Sequence, residues 1–333
     1  MTRKNIDLMK RRLVVLALAA LCALGVHAQF DPQMSHYMYL PTAYNPAAVG
    51  EGDMMKAAGL HRMQLIGITN APMTTYFYFG SPFVIGKTRH GAGVRFMNDK
   101  FGLFYTQSLY AQYAYRQKIG KGYLSAGVEL GISNVGFHGD SVNLDKLSGS
   151  EYHISADQAI PSGDMSGVGF DMSVGAYYTC PTWYVGASYS HVTQPYIEWK
   201  SQQTQTENIV GVTLIGTLYV HGGYNWRLKH YKDFVMQPSV FVQTDFRGWD
   251  VTLAWMTEYK EKYRWGLSYR IGANVGVYLG MDIISGLALG YCYELPTSKL
   301  LLESWGSHEL YLAYQFNILR PKRNNRYKSV RYL

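Results

Sequence analysis

The sequence is poor in cysteine, poor in charge and without long apolar runs beyond its first 28 residues. Only 3 of its 333 residues are cysteines. Cys180 and Cys292, the two beyond the leader, lie far apart in sequence, which excludes a disulfide framework for a chain of this size. No later apolar run approaches the length of about 18 residues that indicates a membrane-spanning helix, so helical spanning is excluded as well.

The first 28 residues predict a secretory signal peptide. Arg3, Lys4 and the basic residues at 10–12 form a positive start, and the apolar stretch LVVLALAALCALGV follows. This stretch is shorter than the ~20 residues of a spanning helix, and the small residues that flank His27 favour cleavage after Ala28. We therefore expect a mature chain that begins at Gln29 and leaves the cytoplasm.

The formal charge of +8 comes from the two ends of the chain. The final 14 residues, RPKRNNRYKSVRYL, hold six basic residues and no acidic one, and without this tail and the leader the charge is −2. A nucleic-acid-binding domain needs a basic face within its fold, so nucleic acid is not an expected partner. The basic tail either stays solvated or contacts an acidic partner.

The chain is rich in tyrosine (29 residues) and glycine (34 residues), and most of it alternates with a period of two. In GYLSAGVELGIS (122–133), apolar side chains alternate with Ser, Gly and Glu, as on the two faces of a β-strand. A soluble β-sandwich also alternates, but its strands are typically about five or six residues long, and the segments here run to about 8 to 17. Aromatic residues near segment ends match membrane girdles, as at Trp183, Trp226, Trp249 and Tyr263.

The pattern predicts an all-β fold, a transmembrane antiparallel β-barrel of the outer-membrane type with about 14 strands. The predicted strands are 54–67, 74–83, 90–98, 104–118, 122–137, 167–179, 182–193, 211–227, 233–246, 249–259, 263–270, 273–284, 286–295 and 307–318. The three longest connections, 138–166, 194–210 and 296–306, all follow odd-numbered strands. They are therefore external if both termini are periplasmic.

The segment between the leader and the first strand has no alternation. It carries prolines at 32, 41 and 46 and three tyrosines. Disordered segments avoid aromatic residues, so we expect this segment to enter the lumen as a plug or to lie across the rim as a docking strip. The predicted parts are a signal peptide (1–28), a periplasmic N-terminal segment (29–53), a barrel (54–319) and a basic periplasmic tail (320–333).

The sequence gives little sign of catalysis. Its ten histidines are scattered without metal-ligand spacing, and the nucleophile pattern G-x-S-x-G is absent. The glycines of HGAGVRF (90–96) fall within a predicted strand, where we interpret them as permitting curvature. We expect no enzyme activity, no cofactor and no metal.

Charged residues on the polar side of the strands face the predicted lumen. They either set ion selectivity or bind a plug, or else they pair with one another across the lumen: Arg95, Glu129, Asp171, Arg264 and Arg270. The interior of a barrel with 14 strands is too wide for wall side chains alone to fill, so water or protein must occupy it.

Stretches near the two ends of the mature chain, and one in the second predicted strand, resemble the PorP/SprF family, outer-membrane proteins of the type IX secretion machinery of Bacteroidetes. DPQMSHYM (31–38) followed by NPAAVG (45–50) is similar to the mature N-terminus of that family. GYCYELPTSKLLLESWGSHELYLAYQF (290–316) is similar to its closing hairpin, and APMTTYFYFGSPF (71–83) to its second-strand region. The basic extension after Phe316 departs from the family, whose members commonly end soon after a terminal aromatic residue.

The resemblance implies a barrel that works in protein secretion and gliding motility with periplasmic lipoproteins and a peptidoglycan-binding protein, or that holds an exported surface protein. The alternative is a diffusion porin or gated solute channel. The residues that we expect to contact partners lie at the two ends of the mature chain: Asp31, Pro32, Gln33, Tyr37, Met38, Asn45, Pro46, Arg320, Lys322, Arg323 and Arg326.

Overall fold

The computed structural model describes residues 31–139, 164–201 and 210–317. Its regular elements are β-strands and short 3-10 turns, among them Pro41–Ala43, Pro46–Ala48 and Lys299–Leu302. None of the helices in these ranges is both long and apolar enough to cross a membrane. The predicted signal peptide and basic tail lie outside the described residues, as does most of the connection 138–166.

The chain forms seventeen strand segments within the described ranges. They are β1 Met55–Met63, β2 Met73–Ile85, β3 Thr88–Phe101, β4 Phe104–Ile119, β5 Gly122–Phe137, β6 Met165–Thr179, β7 Trp183–Ser190, β8 Tyr196–Ser201, β9 Val210–Thr213, β10 Thr217–Tyr224, β11 Trp226–Arg227, β12 Phe234–Thr244, β13 Trp249–Tyr259, β14 Tyr263–Arg270, β15 Asn274–Ile284, β16 Leu287–Pro296 and β17 Ser307–Phe316.

Fourteen wall strands close into one antiparallel barrel. β1 pairs with β17 from Met55 opposite Phe316 to Met63 opposite His308, and this pairing closes the sheet. β11 continues β10 along the edge of β12, so these two segments count as one wall strand. The predicted fold class and strand number are therefore confirmed.

One predicted strand, 211–227, combines two elements that the structure separates. β7 pairs directly with β10, with Ser190 opposite Thr217. β9 instead pairs with β8 as a hairpin within the connection between β7 and β10. The alternation of side chains continues through both elements, and so the sequence pattern alone does not reveal the break between them.

The two faces of the wall follow the sequence alternation. On β5, Leu130 is 44% exposed and points away from the lumen, whereas its neighbour Glu129 is 2% exposed and points inward. On β14, Leu267 is 58% exposed and Ser268 is 4% exposed. The outer face is thus apolar, as contact with lipid tails requires, and the polar face is turned inward.

The barrel has two distinct ends. The end with the short connections, such as 86–87, 120–121 and 180–182, is called the turn end. The opposite end, with the connections 138–164 and 191–216, is called the loop end. β1 starts at the turn end and β17 finishes there, as an even number of wall strands requires.

Candidate functional site: the N-terminal segment inside the barrel

Residues 31–54, called the N-terminal segment, run through the inside of the barrel from the loop end to the turn end. Asp31 contacts His191, which directly follows β7 at the loop end. Gly50 packs against Gly91, near the start of β3 at the turn end. Every residue from Gln33 to Gly50 is buried. The segment therefore occupies the space that water fills in an open barrel.

An acidic and histidine-containing cluster holds the start of the segment. The Asp31 carboxylate lies 3.1 Å from Nε2 of His191 and accepts a hydrogen bond of 2.6 Å from the Tyr219 hydroxyl. Nδ1 of His191 lies 2.6 Å from the Asp171 carboxylate, which also accepts a hydrogen bond from the Tyr110 hydroxyl. A histidine between two carboxylates is stabilised in its charged form.

The pKa values of Asp31 and His191 move in opposite directions. Burial opposes the charge of His191, but the nearby Asp31 and Asp171 carboxylates raise the pKa of His191 to about 10. Burial also opposes the charge of Asp31, but His191 and the hydrogen bonds that Asp31 accepts lower its pKa to about 2. Both groups are therefore charged at neutral pH and attract each other.

Two buried glutamates from the last hairpin bind the next residues of the segment. The Glu309 carboxylate accepts hydrogen bonds from the backbone N–H groups of Ser35 (2.8 Å) and His36 (2.7 Å). The Glu294 carboxylate accepts a hydrogen bond of 2.5 Å from the Ser35 hydroxyl. Arg62 of β1 donates to Glu294 at 2.6 Å and to Glu309 at 3.2 Å. Buried charges are tolerated only when they are paired and hydrogen-bonded, as these are.

Aromatic rings of the segment form a core with rings of the wall. The ring of Tyr37 lies 5.0 Å from that of Phe241, and the ring of Tyr44 lies 4.7 Å from Phe241 and 5.2 Å from Tyr219. The Tyr44 hydroxyl accepts a hydrogen bond of 2.6 Å from the backbone N–H of Met34. The barrel interior is thus packed as the core of a soluble domain is packed.

Asn45 fixes the second half of the segment. Its side-chain oxygen accepts a hydrogen bond of 2.9 Å from the Ala47 N–H and so caps the turn Pro46–Ala48. Its amide nitrogen donates to the carbonyl oxygens of Ala176 on β6 (3.0 Å) and Ala187 on β7 (3.3 Å). One side chain therefore orders the segment and ties it to two wall strands.

Inward-facing glycines make room for the segment backbone. A Cβ at Gly127 on β5 would overlap the backbone of Ala47, and a Cβ at Gly91 on β3 would overlap the Val49 carbonyl. A Cβ at Gly186 on β7 would lie 2.8 Å from the Asn45 amide nitrogen. The glycines of HGAGVRF thus do more than permit curvature, because they leave space for Val49 and Gly50.

Basic and amide side chains of the wall bind the backbone carbonyls of the segment near the turn end. Lys56 donates to the Tyr39 carbonyl at 2.6 Å, and Gln112 donates to the Thr42 carbonyl at 2.8 Å. Arg116 donates to the Gly50 carbonyl. These bonds satisfy polar backbone groups that burial would otherwise leave without a partner.

The predicted lumen charges lie beside oppositely charged or hydrogen-bonding groups of the wall. Arg95 makes a two-pronged contact with Glu129, at 2.8 and 2.6 Å. Arg264 contacts Glu258 at 3.1 Å and Asp282 at 2.8 Å, and Arg270 lies 3.9 Å from Asp250. Asp171 belongs to the His191 cluster. The sequence left two interpretations of these charges, namely selectivity or plug binding on one side and pairing on the other. The arginines pair with carboxylates of the wall, and Asp171 also supports the segment through His191.

The cavities between the segment and the wall are small. Three cavities at this interface have volumes of about 20, 10 and 10 Å³. A single water molecule requires roughly 10 to 15 Å³ of such space. Each of these three cavities therefore accommodates isolated water molecules and is too small for a solute.

The structure brings together the seven predicted partner-binding residues of the N-terminal segment, but inside the barrel. Asp31 and Pro32 are half-buried at the loop end, and the other five are buried: Gln33, Tyr37, Met38, Asn45 and Pro46. The sequence predicts a segment at the periplasmic end, but its first described residue lies at the end opposite to Phe316. Arg320, Lys322, Arg323 and Arg326 lie outside the described residues, and their partner contacts stay a prediction.

Sequence reasoning missed the residues of the wall that hold the segment. Sequence patterns do not single out Glu309 and Glu294 as a site, nor Arg62, His191 and the inward glycines. One signal is present, because glycines recur on the inward face of β3, β5, β6 and β7. An inward glycine in a wide barrel indicates close approach by another backbone.

Replacing Gly127 by alanine tests the seating of the segment. The new methyl group would overlap the Ala47 backbone, so we expect the free energy of unfolding to fall by about 1 to 3 kcal/mol. Gly59→Ala is the matched control, because a Cβ there meets its nearest neighbour at 3.4 Å. Urea unfolding in detergent measures both variants. Equal stability of the two variants would contradict the close packing of Ala47 against Gly127.

The Asp31–His191 contact predicts how stability depends on pH. The raised pKa of His191 stabilises the fold fully below pH 6.5, and this contribution is lost as pH rises towards 10. The lowered pKa of Asp31 stabilises the fold above pH 3.8, and this contribution is lost as pH falls through about 2. We expect His191→Gln to lower the melting temperature at pH 7 and to flatten its decline between pH 6.5 and 10. The control is His230→Gln, because His230 is exposed. Parallel curves of melting temperature against pH for wild type and His191→Gln would contradict the assignment of this pH dependence to His191.

Comparisons with solved structures find other membrane barrels at low similarity. The toluene transporter TodX of P. putida is 11% identical over 83% of this chain and 93% of its own, with a TM-score of 0.42. The translocator domain of the autotransporter NalP from Neisseria meningitidis is 13% identical over 85% and 94%, with a TM-score of 0.46. Omp33 of Acinetobacter baumannii is 8% identical over 81% and 100%, with a TM-score of 0.44. These similarities carry no functional argument.

A search of curated protein sequences finds no match. A family profile does match, over residues 26–314, and its description is type IX secretion system membrane protein PorP/SprF. The matched region contains the N-terminal segment, all the wall strands up to β17 and most of β17 itself. This protein therefore belongs to the PorP/SprF family of type IX secretion system membrane proteins.

Proposed function

We propose that this protein serves type IX secretion by binding other proteins and that it is not a conduit for solutes or secreted chains. The observation that carries the proposal is the burial of every residue from Gln33 to Gly50 inside the barrel. A chain that passes through the barrel would have to displace this segment. The proposal includes the view that the segment stays in place as a plug.

The contacts of the segment favour a permanent plug over a gate. A gate opens when the closing element has few or weak contacts with the wall. Here the first half is held by the Asp31–His191 ion pair and by backbone N–H groups that donate to Glu309, and the second half by Asn45 and by the Arg116 bond to Gly50. These contacts also disfavour the alternative function, a diffusion porin or gated solute channel.

The proposed orientation places the loop end outside the outer membrane and the turn end in the periplasm, because bacterial barrels have long external loops. Periplasmic lipoproteins and a peptidoglycan-binding protein would then meet the turn end and the tail that follows Phe316. An exported surface protein would meet the loop end, where Asp31 and Pro32 are half-buried. In this orientation Asp31 faces the exterior, so the first described residue and the C-terminus of β17 lie on opposite sides.

Conductance and co-purification together test the contact function. We expect purified wild-type protein to show no current steps in planar bilayers, because its lumen is filled. Protein extracted from native membranes should carry type IX periplasmic components with it, and cells without the protein should fail to export type IX cargo. A variant that lacks residues 33–50, the buried part of the segment, serves as the positive control for conductance. Steady wild-type conductance with no partner bound would establish the channel alternative.

Labelling of intact cells tests the orientation. A short epitope inserted before Asp31 should be detected by antibody on intact cells, as should one at Lys299 in the loop-end connection. An epitope at Lys121, in a turn-end hairpin, should be detected only after the outer membrane is permeabilised. Heat-dependent migration on gels checks that each protein is folded. If the Asp31 epitope, like the Lys121 epitope, were detected only after the outer membrane is permeabilised, the proposed threading direction would be refuted.

A further inference from the structure

The turn end carries an excess of exposed positive charge within the described residues. The exposed basic side chains there are Lys87, Lys118, Lys121, Arg227, Lys229, Lys232, Lys260 and Lys262. The exposed acidic side chains there are Asp233 and Glu261. Among the residues of the loop end that the structure describes, the exposed charges nearly balance: Lys100, Arg247 and Lys299 against Glu198 and Glu303. The described residues of the two ends therefore differ in exposed charge.

The basic residues lie in four of the connections at the turn end or at the strand ends beside them. Side chains alternate between the faces of a strand, and Trp226, beside Arg227, is 52% exposed on the outer face. Tyr263, beside Lys262, is likewise 44% exposed on the outer face, whereas Arg264, two residues after Lys262, points inward. Arg227 therefore shares the inward side of its strand, whereas the ammonium groups of Lys260 and Lys262 lie 5.2 and 5.4 Å from the ring centres of Tyr259 and Tyr263.

None of the eight basic residues makes an ion pair with a described residue. Arg89, by contrast, lies at the same end and is paired with Asp53 at 2.6 Å. The eight form what is called the turn-end ring; Asp233 attracts Lys260 electrostatically, and within the described residues no carboxylate forms an ion pair with the other seven. Like charges arranged around one mouth repel one another, and a bound partner of opposite charge reduces this repulsion.

The surface inside the turn-end ring is closed. The N-terminal segment fills the lumen, and Arg116 binds the Gly50 carbonyl at this end. Glu51 accepts hydrogen bonds of 3.3 Å from Tyr177 and Thr179. A partner that approaches along the axis therefore meets a closed surface bordered by basic residues and not the opening of a channel.

We propose that the turn-end ring is a docking surface for an acidic face of another protein. The inference rests on the proposed contact function and names the chemistry of the partner and the surface that it uses. An acidic protein fits better than lipid headgroups do, because the basic residues lie in several connections that border a mouth closed by the N-terminal segment, and one acidic face can contact several of these connections at once. Electrostatic contacts of this kind speed association and weaken as salt concentration rises.

Two variants with equal loss of charge test the docking surface. The ring variant carries Lys121→Gln, Lys229→Gln and Lys262→Gln, from three different connections. The control carries Lys100→Gln, Arg247→Gln and Lys299→Gln at the loop end. All six positions are exposed, so both full-length proteins should fold, and heat-dependent migration on gels verifies it.

The probes are a fluorescent glutamate 20-mer, a glutamine 20-mer, and vesicles of phosphatidylglycerol with phosphatidylcholine. We expect wild type to bind the glutamate peptide more tightly than the glutamine peptide, with an affinity that falls as salt is added. The ring variant should bind it roughly fivefold more weakly, and the control should stay within about twofold of wild type. In cells, a photo-crosslinker at Lys121 should react with an Asp- and Glu-rich peptide of a partner, and one at Lys299 should not.

Three results would overturn the docking surface. They are equal binding of the two peptides by wild type, equal loss in the ring variant and the control, and binding to the anionic vesicles alone. The last would assign the ring to lipid. These failures leave the contact function standing as long as wild type is silent in planar bilayers and export depends on the protein. Wild-type conductance would instead remove the contact function, whatever the peptides do.

Discussion

The space inside a barrel with fourteen wall strands must be filled, and this chain fills it with its own N-terminal segment. Wall side chains are too short to meet across such an interior. A protein segment placed there must have its backbone groups hydrogen-bonded, because water is largely excluded. The wall meets this requirement with Glu309, Gln112, Lys56 and Arg116, each of which binds backbone groups of the segment. The inward polar residues of the strands are therefore explained by a buried peptide and not by a water-filled lumen.

The two stretches that carry the family resemblance meet in space. Ser35 and His36 from the first stretch bind Glu294 and Glu309 from the last hairpin. Arg62 of β1 joins both glutamates, at the place where β1 pairs with β17 to close the barrel. Removing one partner from such a buried set leaves an uncompensated charge, which costs about 3 to 5 kcal/mol in typical cases. Closure of the barrel and seating of the segment are thus linked through the same three charged side chains.

Sequence patterns are sufficient to predict the wall but not its contents. Alternation is a local property, so the positions of residues such as Leu130 and Glu129 in the sequence are enough to assign them to opposite faces. The path of the N-terminal segment depends on contacts more than 100 residues away in sequence, such as Asp31 with His191 and Ser35 with Glu309. No local pattern encodes such a pairing. The hairpin of β8 and β9 is missed for a related reason, because its strands alternate as wall strands do but pair mainly with each other in the connection.

The segment also determines how the two ends of the barrel relate to each other. It is held at the loop end by the Asp31–His191 contact and at the turn end by the Asp53–Arg89 contact. Between these points, contacts at Asn45 and Gly50 leave it little freedom to slide. A partner at one end therefore meets a closed surface whose shape is set by the chain itself. Contact at that surface, with no passage through the barrel, is the mode of action that this architecture supports.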